Sequence, residues 1–340
     1  MANKQYNEPE LNEPVNLCLP DGTLNKKAIG WSRSPLHNCN LSGSLFRKKR
    51  WNYWCVTTDK FLFSLTLSNI DYLGLAFIYF LDFKTKDFHE LTVSRLFGKG
   101  CDLGDHADDD AIFKDPRLML SMKSKDSLTY LKVEAPVFGG KPLNAELVAN
   151  KPGGHETLNV VIPWSNKRFQ FTSKQNTLPT SGSVVLGDKI FNAEHGFACL
   201  DLGRGKWPFS SFWNWASASG VSNNRTIGLN LGAGWTDRTG MNENGLCIDG
   251  RLSKISEDLC FEYDRDDFMK TWHITSTITD SINLSFEPFF ERVAKTNVLF
   301  LGSEVHQMIG RFSGSVKDEK GEKYPVENLI GWAEDHHARW

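Results

Sequence analysis

Two stretches concentrate residues able to do chemistry. HGFACLDLGRGKWPFSSFWNWASASG, from His195 to Gly220, carries Asp201, Arg204, Lys206, Trp207, Trp213, Asn214 and Trp215. GLNLGAGWTDRTGMNENGLCIDG, from Gly228 to Gly250, adds Trp235, Asp237, Arg238, Asn242, Glu243 and Asp249. Carboxyl groups among indoles point to acid chemistry in a low-dielectric pocket. An apolar environment keeps a carboxylic acid protonated, so that it can give its proton to a double bond. Indole faces then stabilise the cation by about 0.5–2 kcal/mol per contact. Asp201 and Asp237 are the candidate acids, and His195 is the candidate to orient water or relay the proton, because imidazole titrates near neutrality. Arg204, Trp207, Trp213, Asn214, Trp215, Trp235, Asn242 and Glu243 are the candidate ligand contacts. Capture by water gives hydration, whereas internal capture or proton loss gives cyclisation or isomerisation.

The same residues also suit a non-catalytic carrier of a hydrophobic small molecule. There Arg204, Arg33 or Arg238 holds a ligand carboxylate, and the aspartates pair with them. Plainer readings exist for several groups. Asn242–Gly245 reads as a hairpin turn, Asp237-Arg238 as an exposed pair, and RKKR at Arg47–Arg50 as a solvated turn. His37, Glu334, His337 and Arg339 read as structural polar contacts. No phosphate loop, dinucleotide fingerprint, zinc motif or nucleophile elbow occurs. The adjacent pair His336-His337 faces opposite sides of a strand and chelates poorly. No cofactor and no metal are therefore expected.

These groups need elements to position them. Short alternating apolar runs recur between Gly, Asn, Asp and Ser, which predicts antiparallel β-structure throughout. WNYWCVT, FLFSLTL and LGLAFIYFLDF, starting at Trp51, Phe61 and Leu73, read as three successive strands. In an extended FWNWASA strand, Trp213 and Trp215 share one face and Phe212, Asn214 and Ala216 the other. Only Asp109–Leu120 suggests a short helix. The 340 residues suit two domains, and PTSGSVVLGD at Pro179–Asp188 suggests a boundary giving 1–178 and 179–340. The expected fold class is all-β, with two antiparallel barrels. A net charge of −2 gives no overall basic field for nucleic acid. The N-terminus lacks an apolar signal segment, and the most apolar window, Tyr72–Phe83, is shorter than the roughly 20 residues of a membrane helix. Seven dispersed cysteines without a CxxC pair suit reduced thiols. A cytoplasmic location without membrane insertion is expected; the oligomeric state is open.

GWSRSPLHNCNL (Gly30–Leu41), RGKWPFSSFWNWASASG (Arg204–Gly220), GLNLGAGWTDRTGMNENGLCIDGRLSKI (Gly228–Ile255) and GWAEDHHARW (Gly331–Trp340) resemble the bacterial domain-of-unknown-function family 2804 over nearly the whole chain. More distantly, the chain is similar to carotenoid 1,2-hydratases and related double-lipocalin (calycin) proteins, some of them cyclases. These carry an aromatic-Asp-basic motif followed by a Trp-x-Trp strand. Asp201 to Trp215 looks similar to that motif, and Trp235-Thr236-Asp237-Arg238 is the other possible counterpart of its first part. The resemblance implies two stacked lipocalin-like barrels and a cavity suited to an apolar small molecule.

Overall fold

The computed structural model describes residues 5–43, 45–298 and 301–339. An N-terminal segment carries the short strands β1 (Val15–Asn16), β2 (Trp31–Ser32) and β3 (His37–Asn38). A meander follows: β4 (Lys48–Thr57), β5 (Phe61–Asn69), β6 (Leu73–Asp82) and β7 (Phe88–Leu96). Next come β8 (Cys101–Leu103), β9 (Ala111–Asp115), β10 (Leu118–Lys125), β11 (Leu128–Phe138) and β12 (Lys141–Asn150). The first half ends with β13 (Leu158–Ser165), β14 (Arg168–Leu186), β15 (Lys189–Asn192) and β16 (Phe197–Lys206). The second half comprises β17 (Ser210–Ser222), β18 (Arg225–Ala233), β19 (Gly245–Ile248), β20 (Arg251–Lys254), β21 (Leu259–Glu262), β22 (Trp272–Ser276), β23 (Ile282–Val298), β24 (Leu301–Lys317) and β25 (Lys323–Arg339).

Apart from the short parallel pair β1–β3, the strands form two curled antiparallel sheets, the pair of antiparallel barrels expected from the strand pattern. The first runs β7-β6-β5-β4-β16-β14-β12-β11-β10-β9-β8, with β13 and β15 against β14; the second runs β20-β19-β18-β17-β25-β24-β23-β22-β21. Period-two alternation assigns each side chain to one of two faces. In β4, Trp54 and Val56 enter the first barrel, while Tyr53 and Cys55 point to its back. In β16, Ala198, Leu200 and Leu202 point in and Cys199 points back. In β17 and β25, Ala216, Ala218 and Ala333 enter the second barrel, whereas Trp215 and Trp332 point back. The two barrels therefore meet back to back through aromatic faces. Tyr53 lies 5.7 Å from Trp215 and 6.0 Å from Trp332, and Phe83 lies 5.3 Å from Phe289.

The barrel interiors are filled by their own side chains. Phe61 stacks on Phe80 at 5.6 Å, and Phe171 packs on the buried His37 at 4.6 Å. In the second barrel Trp272 stacks on Tyr263 at 3.9 Å and Phe286 packs on Phe312 at 4.5 Å.

Several expectations need correction. Asp109–Leu120 is not a helix but part of the hairpin β9–β10. Ala111, Phe113 and Asp115, then Leu118, Leu120 and Met122, are buried at every second position. Asp115 sets the turn by accepting the Arg117 backbone N–H at 2.9 Å and its Nε–H at 3.0 Å. The run Arg47–Arg50 is not a solvated turn: it leads into β4, and Lys49 is buried. Residues 178–179 lie inside β14, which pairs with β16 through Pro179 and with β12 from Thr180. The chain changes sheet between Lys206 and Ser210, and we propose that the two units divide there. Among the described residues no helix is long and apolar enough to cross a membrane.

Truncating a ring in a filled interior leaves a cavity. Phe171→Ala is expected to lower the unfolding free energy by about 3–5 kcal/mol, read from urea denaturation with an unchanged m-value.

Candidate active site

The polar groups with chemical potential lie between the barrels, on the backs of the sheets. In β14, Phe169 and Phe171 point into the first barrel, so alternation turns Gln170, Thr172 and Lys174 to the back. Lys174 stands directly across from Asp201 of β16. Its ammonium lies 2.9 Å from Asp201 Oδ1 and 2.9 Å from Oε2 of Glu243, which precedes β19 in the second unit. It also sits 4.5 Å above the Trp215 ring. Thr172 donates to Asp201 Oδ1 at 3.2 Å, and the Trp235 indole N–H donates to Glu243 Oε1 at 2.6 Å. Burial works against the lysine charge, but the two carboxylates outweigh it and raise its pKa. Burial raises the pKa of Glu243, opposed by Lys174. The triad sets one ammonium between two carboxyl groups.

A second chain of hydrogen bonds crosses the same interface. Tyr53 and Tyr79 share a hydrogen bond of 2.8 Å, Tyr79 donates to Gln307 Oε1 at 2.7 Å, and Gln307 Nε2 donates to Glu334 Oε1 at 2.7 Å. Glu334 follows Trp332 on the back of β25 and pairs in register with Trp215. Burial pushes its carboxyl up to about 7, helped by the negative Asp201 and opposed by Arg292, Gln307 and Lys174. Arg292 binds Glu90 through two hydrogen bonds and lies 4.4 Å over the Tyr79 ring. His336, next on this face, packs at a tilt against Trp213 at 4.0 Å and bonds Ser303 Oγ at 2.9 Å. Burial and Arg292 hold its pKa down to about 3, so the ring is neutral.

Beside these groups lies a tryptophan cluster centred on Trp207. It packs 5.8 Å from Trp51, 5.0 Å from Trp164 and 5.6 Å from Trp213, and stacks on Trp235 at 5.3 Å. Gln170 Oε1 accepts the Trp207 indole N–H at 2.7 Å. Gly203 permits this packing, because a Cβ there would stand 2.2 Å from the Trp51 ring. Trp51 and Trp213 are only partly buried, and the Asp201 side chain keeps 12% of its surface exposed, so solvent reaches the edge of the cluster.

Asp201, Trp207, Trp213, Trp215, Trp235 and Glu243 are thus brought together, though Asp201 is an ion-paired carboxylate rather than a free acid. Other expected members go elsewhere. Arg204 has the opposite parity to Asp201 and points into the first barrel, where its guanidinium bonds the carbonyls of Trp51, Gly203 and Gly104 and the Asn52 side chain. Asn214 faces the second barrel and donates to Tyr263 at 2.9 Å. His195 is exposed in the turn before β16 with φ of 62°, and the fold does not bring it to Asp201. Asp237 is exposed in the turn after β18, accepting the Gly234 N–H at 3.3 Å; partial burial and Asp258 raise its pKa. Asn242 is buried against the N-terminal segment, where its N–H donates to Glu8 Oε1 at 2.7 Å, so Asn242–Gly245 is not a hairpin turn. Lys174, Tyr53, Tyr79 and Gln307 belong to this polar interface and were missed by motif reading. Glu334 read there as a structural contact, although the period-two set Trp332, Glu334 and His336 is a legible signal. Among the described residues no group of three or more His, Cys, Asp or Glu side chains is placed to hold a metal ion.

The family model described as "Domain of unknown function (DUF2804)" matches residues 8–340. No curated protein matches the chain. Among solved structures, CghA is 10% identical over 99% of this chain and 97% of its own, with a TM-score of 0.47. Kievitone hydratase from Nectria haematococca is 8% identical over 86% of this chain and 89% of its own, also at 0.47. A putative AttH from Nitrosomonas europaea is 11% identical over 86% and 92%, at 0.37. Likenesses of this degree carry no argument about the chemistry, which rests on the residues above.

Removing the shared cation leaves two buried carboxylates facing each other. Lys174→Met is expected to cost about 3–5 kcal/mol at neutral pH, measured by denaturant unfolding. Adding Asp201→Asn is expected to recover part of that loss, because one repelling charge is gone.

Proposed function

The chain belongs to the DUF2804 family, and we propose that it is an enzyme of the hydratase, cyclase or isomerase type acting on an apolar unsaturated small molecule between the two barrels. The observation that carries this reading is the Glu334 carboxyl, buried on the back of β25 in register with Trp215 and held near pH 7. A general acid works best with a pKa near the operating pH. Asp201, fixed beside Lys174, and Asp237, exposed in a turn, suit that task less well.

In this proposal the protonated Glu334 gives its proton to one carbon of a double bond, and the π-electrons form the new C–H bond. The cation left on the neighbouring carbon faces the rings of Trp215, Trp332 and Tyr53, each contact contributing about 0.5–2 kcal/mol. Glu334, now a carboxylate, recovers a proton from the attacking water in a hydration, or from an adjacent carbon in an isomerisation. Gln307 occupies Oε1 as a donor, which leaves Oε2 as the oxygen that carries the acidic proton. A carrier holding its ligand inside a barrel needs an open interior, whereas Phe61, Phe80, Phe169 and Phe171 fill the first one.

The test is transfer of solvent hydrogen to carbon. Protein in D2O, incubated with a panel of isoprenoids and unsaturated fatty acids, is expected to place deuterium on carbon in one class, detected by mass spectrometry. Glu334→Gln is expected to abolish incorporation; undiminished incorporation by that variant contradicts the assignment. The reactive form is the acid, so the wild-type rate is expected to be level below about pH 7 and to fall about tenfold per pH unit above it. Stability follows the same titration. The folded carboxyl binds its proton more tightly than the unfolded one, whose ordinary value is 4.5. Its contribution is therefore fully present below that value and is lost as pH rises through 7, on the order of 3 kcal/mol at about 1.4 kcal/mol per pH unit. Glu334→Gln is expected to flatten this slope in unfolding measured between pH 5 and 8.

A further inference from the structure

The basic run Arg47–Arg50 belongs to a second constellation, on the opposite face of β16 from Asp201. The antiparallel register of β4 and β16 sets Arg50 directly across from Arg204 and Lys48 directly across from Lys206. Like charges opposite one another in a sheet repel, and here two such pairs follow in succession. Arg204 and Lys206 share the inward parity of Leu200 and Leu202, which puts the cations at one mouth of the first barrel. The Arg204 Nη2–H donates to Asn52 Oδ1 at 2.8 Å, and the Lys206 ammonium donates to the Gly22 carbonyl.

Little in the described residues neutralises them at contact distance. Arg204 is 1% exposed, yet every hydrogen-bond acceptor around it is neutral. The Arg50 Nε–H is buried without a hydrogen-bond partner. Among the described residues Lys48 alone of the four has an ion pair, with Asp71 at 3.5 Å. Asp105 and Asp109 act on Arg204, and Asp21 on Lys206, only at longer range. Burial, with Arg50 adding to it, lowers the Arg204 pKa to about 10, the sign of a guanidinium short of counter-charge. A buried charge without a partner is costly, and an arrangement that keeps four cations together at that cost suits an anion that completes it. Guanidinium forks match planar or tetrahedral oxyanions geometrically as well as electrically.

We infer that the mouth of the first barrel is a binding site for the oxyanion group of a small molecule, a phosphate or a carboxylate, with Arg50 as the contacting fork and Arg204, Lys48 and Lys206 as the surrounding positive field. Arg50 and Lys48 are only partly buried and are the groups an incoming anion meets. The site is separate from the proposed acid, since Asp201 and Arg204 leave β16 on opposite faces.

The experiment is isothermal titration of the full chain with inorganic phosphate and, separately, with acetate, at constant ionic strength with chloride. At least one is expected to bind saturably in the millimolar range and to raise the thermal unfolding midpoint. Phosphate alone, acetate alone, or both identify the group recognised. Arg50→Gln is expected to weaken that binding roughly 10- to 100-fold, the effect of losing a hydrogen bond to a charged partner. Its anion-free unfolding midpoint is expected to stay level or rise, because a repulsion is removed. If Arg50→Gln does not fold, Arg50→Lys takes its place, keeping the charge while losing the fork, with weakened binding again expected. No saturable response to either anion, or wild-type affinity in the variant, overturns the inference.

Discussion

A lysine ammonium held between two carboxylates from different parts of the chain is the interaction on which the arrangement depends. Lys174 and Asp201 come from neighbouring strands of the first sheet, and Glu243 comes from the segment before β19 in the second. Two curled sheets packed back to back would ordinarily bury only apolar rings. Here Lys174 also joins them, with the Trp215 ring beneath its ammonium and the Trp235 indole N–H bonded to its partner Glu243. Such a buried ion triad is a poor source of stability compared with packed hydrocarbon. Its placement beside the rings of Trp215, Trp332 and Tyr53 makes sense as a source of field. Burial, helped by Asp201, keeps the Glu334 carboxyl protonated, while Lys174 and Arg292 oppose it.

The same alternation that builds the sheets separates two chemistries. On one face of β16 Asp201 meets Lys174; on the other, Arg204 meets Arg50 across the strand pair. The back face is negative and aromatic, and the barrel mouth is positive and bonded mainly to neutral oxygens. A strand readily holds two electrostatic environments of opposite sign about one strand thickness apart. A helix does so poorly, because its neighbouring positions spread around a cylinder.

Much of the fold was legible because short alternating runs leave few alternatives. WNYWCVT and FLFSLTL are β-strands wherever they occur in such a pattern, and Trp213 and Trp215 do share a face. The hairpin at Ala111–Lys125 was obscured by its charged start, DHADDDAIFKD, where turn residues mimic a helix cap. The long strand β25 was obscured by its charges, since Glu334, His336 and the inward Asp335 blur the apolar period. The site was legible in part. Proximity in sequence grouped Asp201 with Arg204, but parity divides them. Lys174 lies in FTSKQNT, where nothing local distinguishes a buried lysine from a solvated one. Its role comes from a partner across the strand and another from the second sheet, and such long-range pairing is not written in any single window.

Glu334 as a neutral acid between the barrels near pH 7 is the central claim, and infrared difference spectroscopy tests it directly. Spectra of the wild type minus Glu334→Gln, recorded in D2O from pH 5 to 9, are predicted to contain the carbonyl band of a protonated carboxylic acid at low pH. That band gives way to carboxylate bands with a midpoint near 7. A difference spectrum with only carboxylate bands down to pH 5 would mean that Glu334 is ionised throughout, and would contradict the claim at its centre.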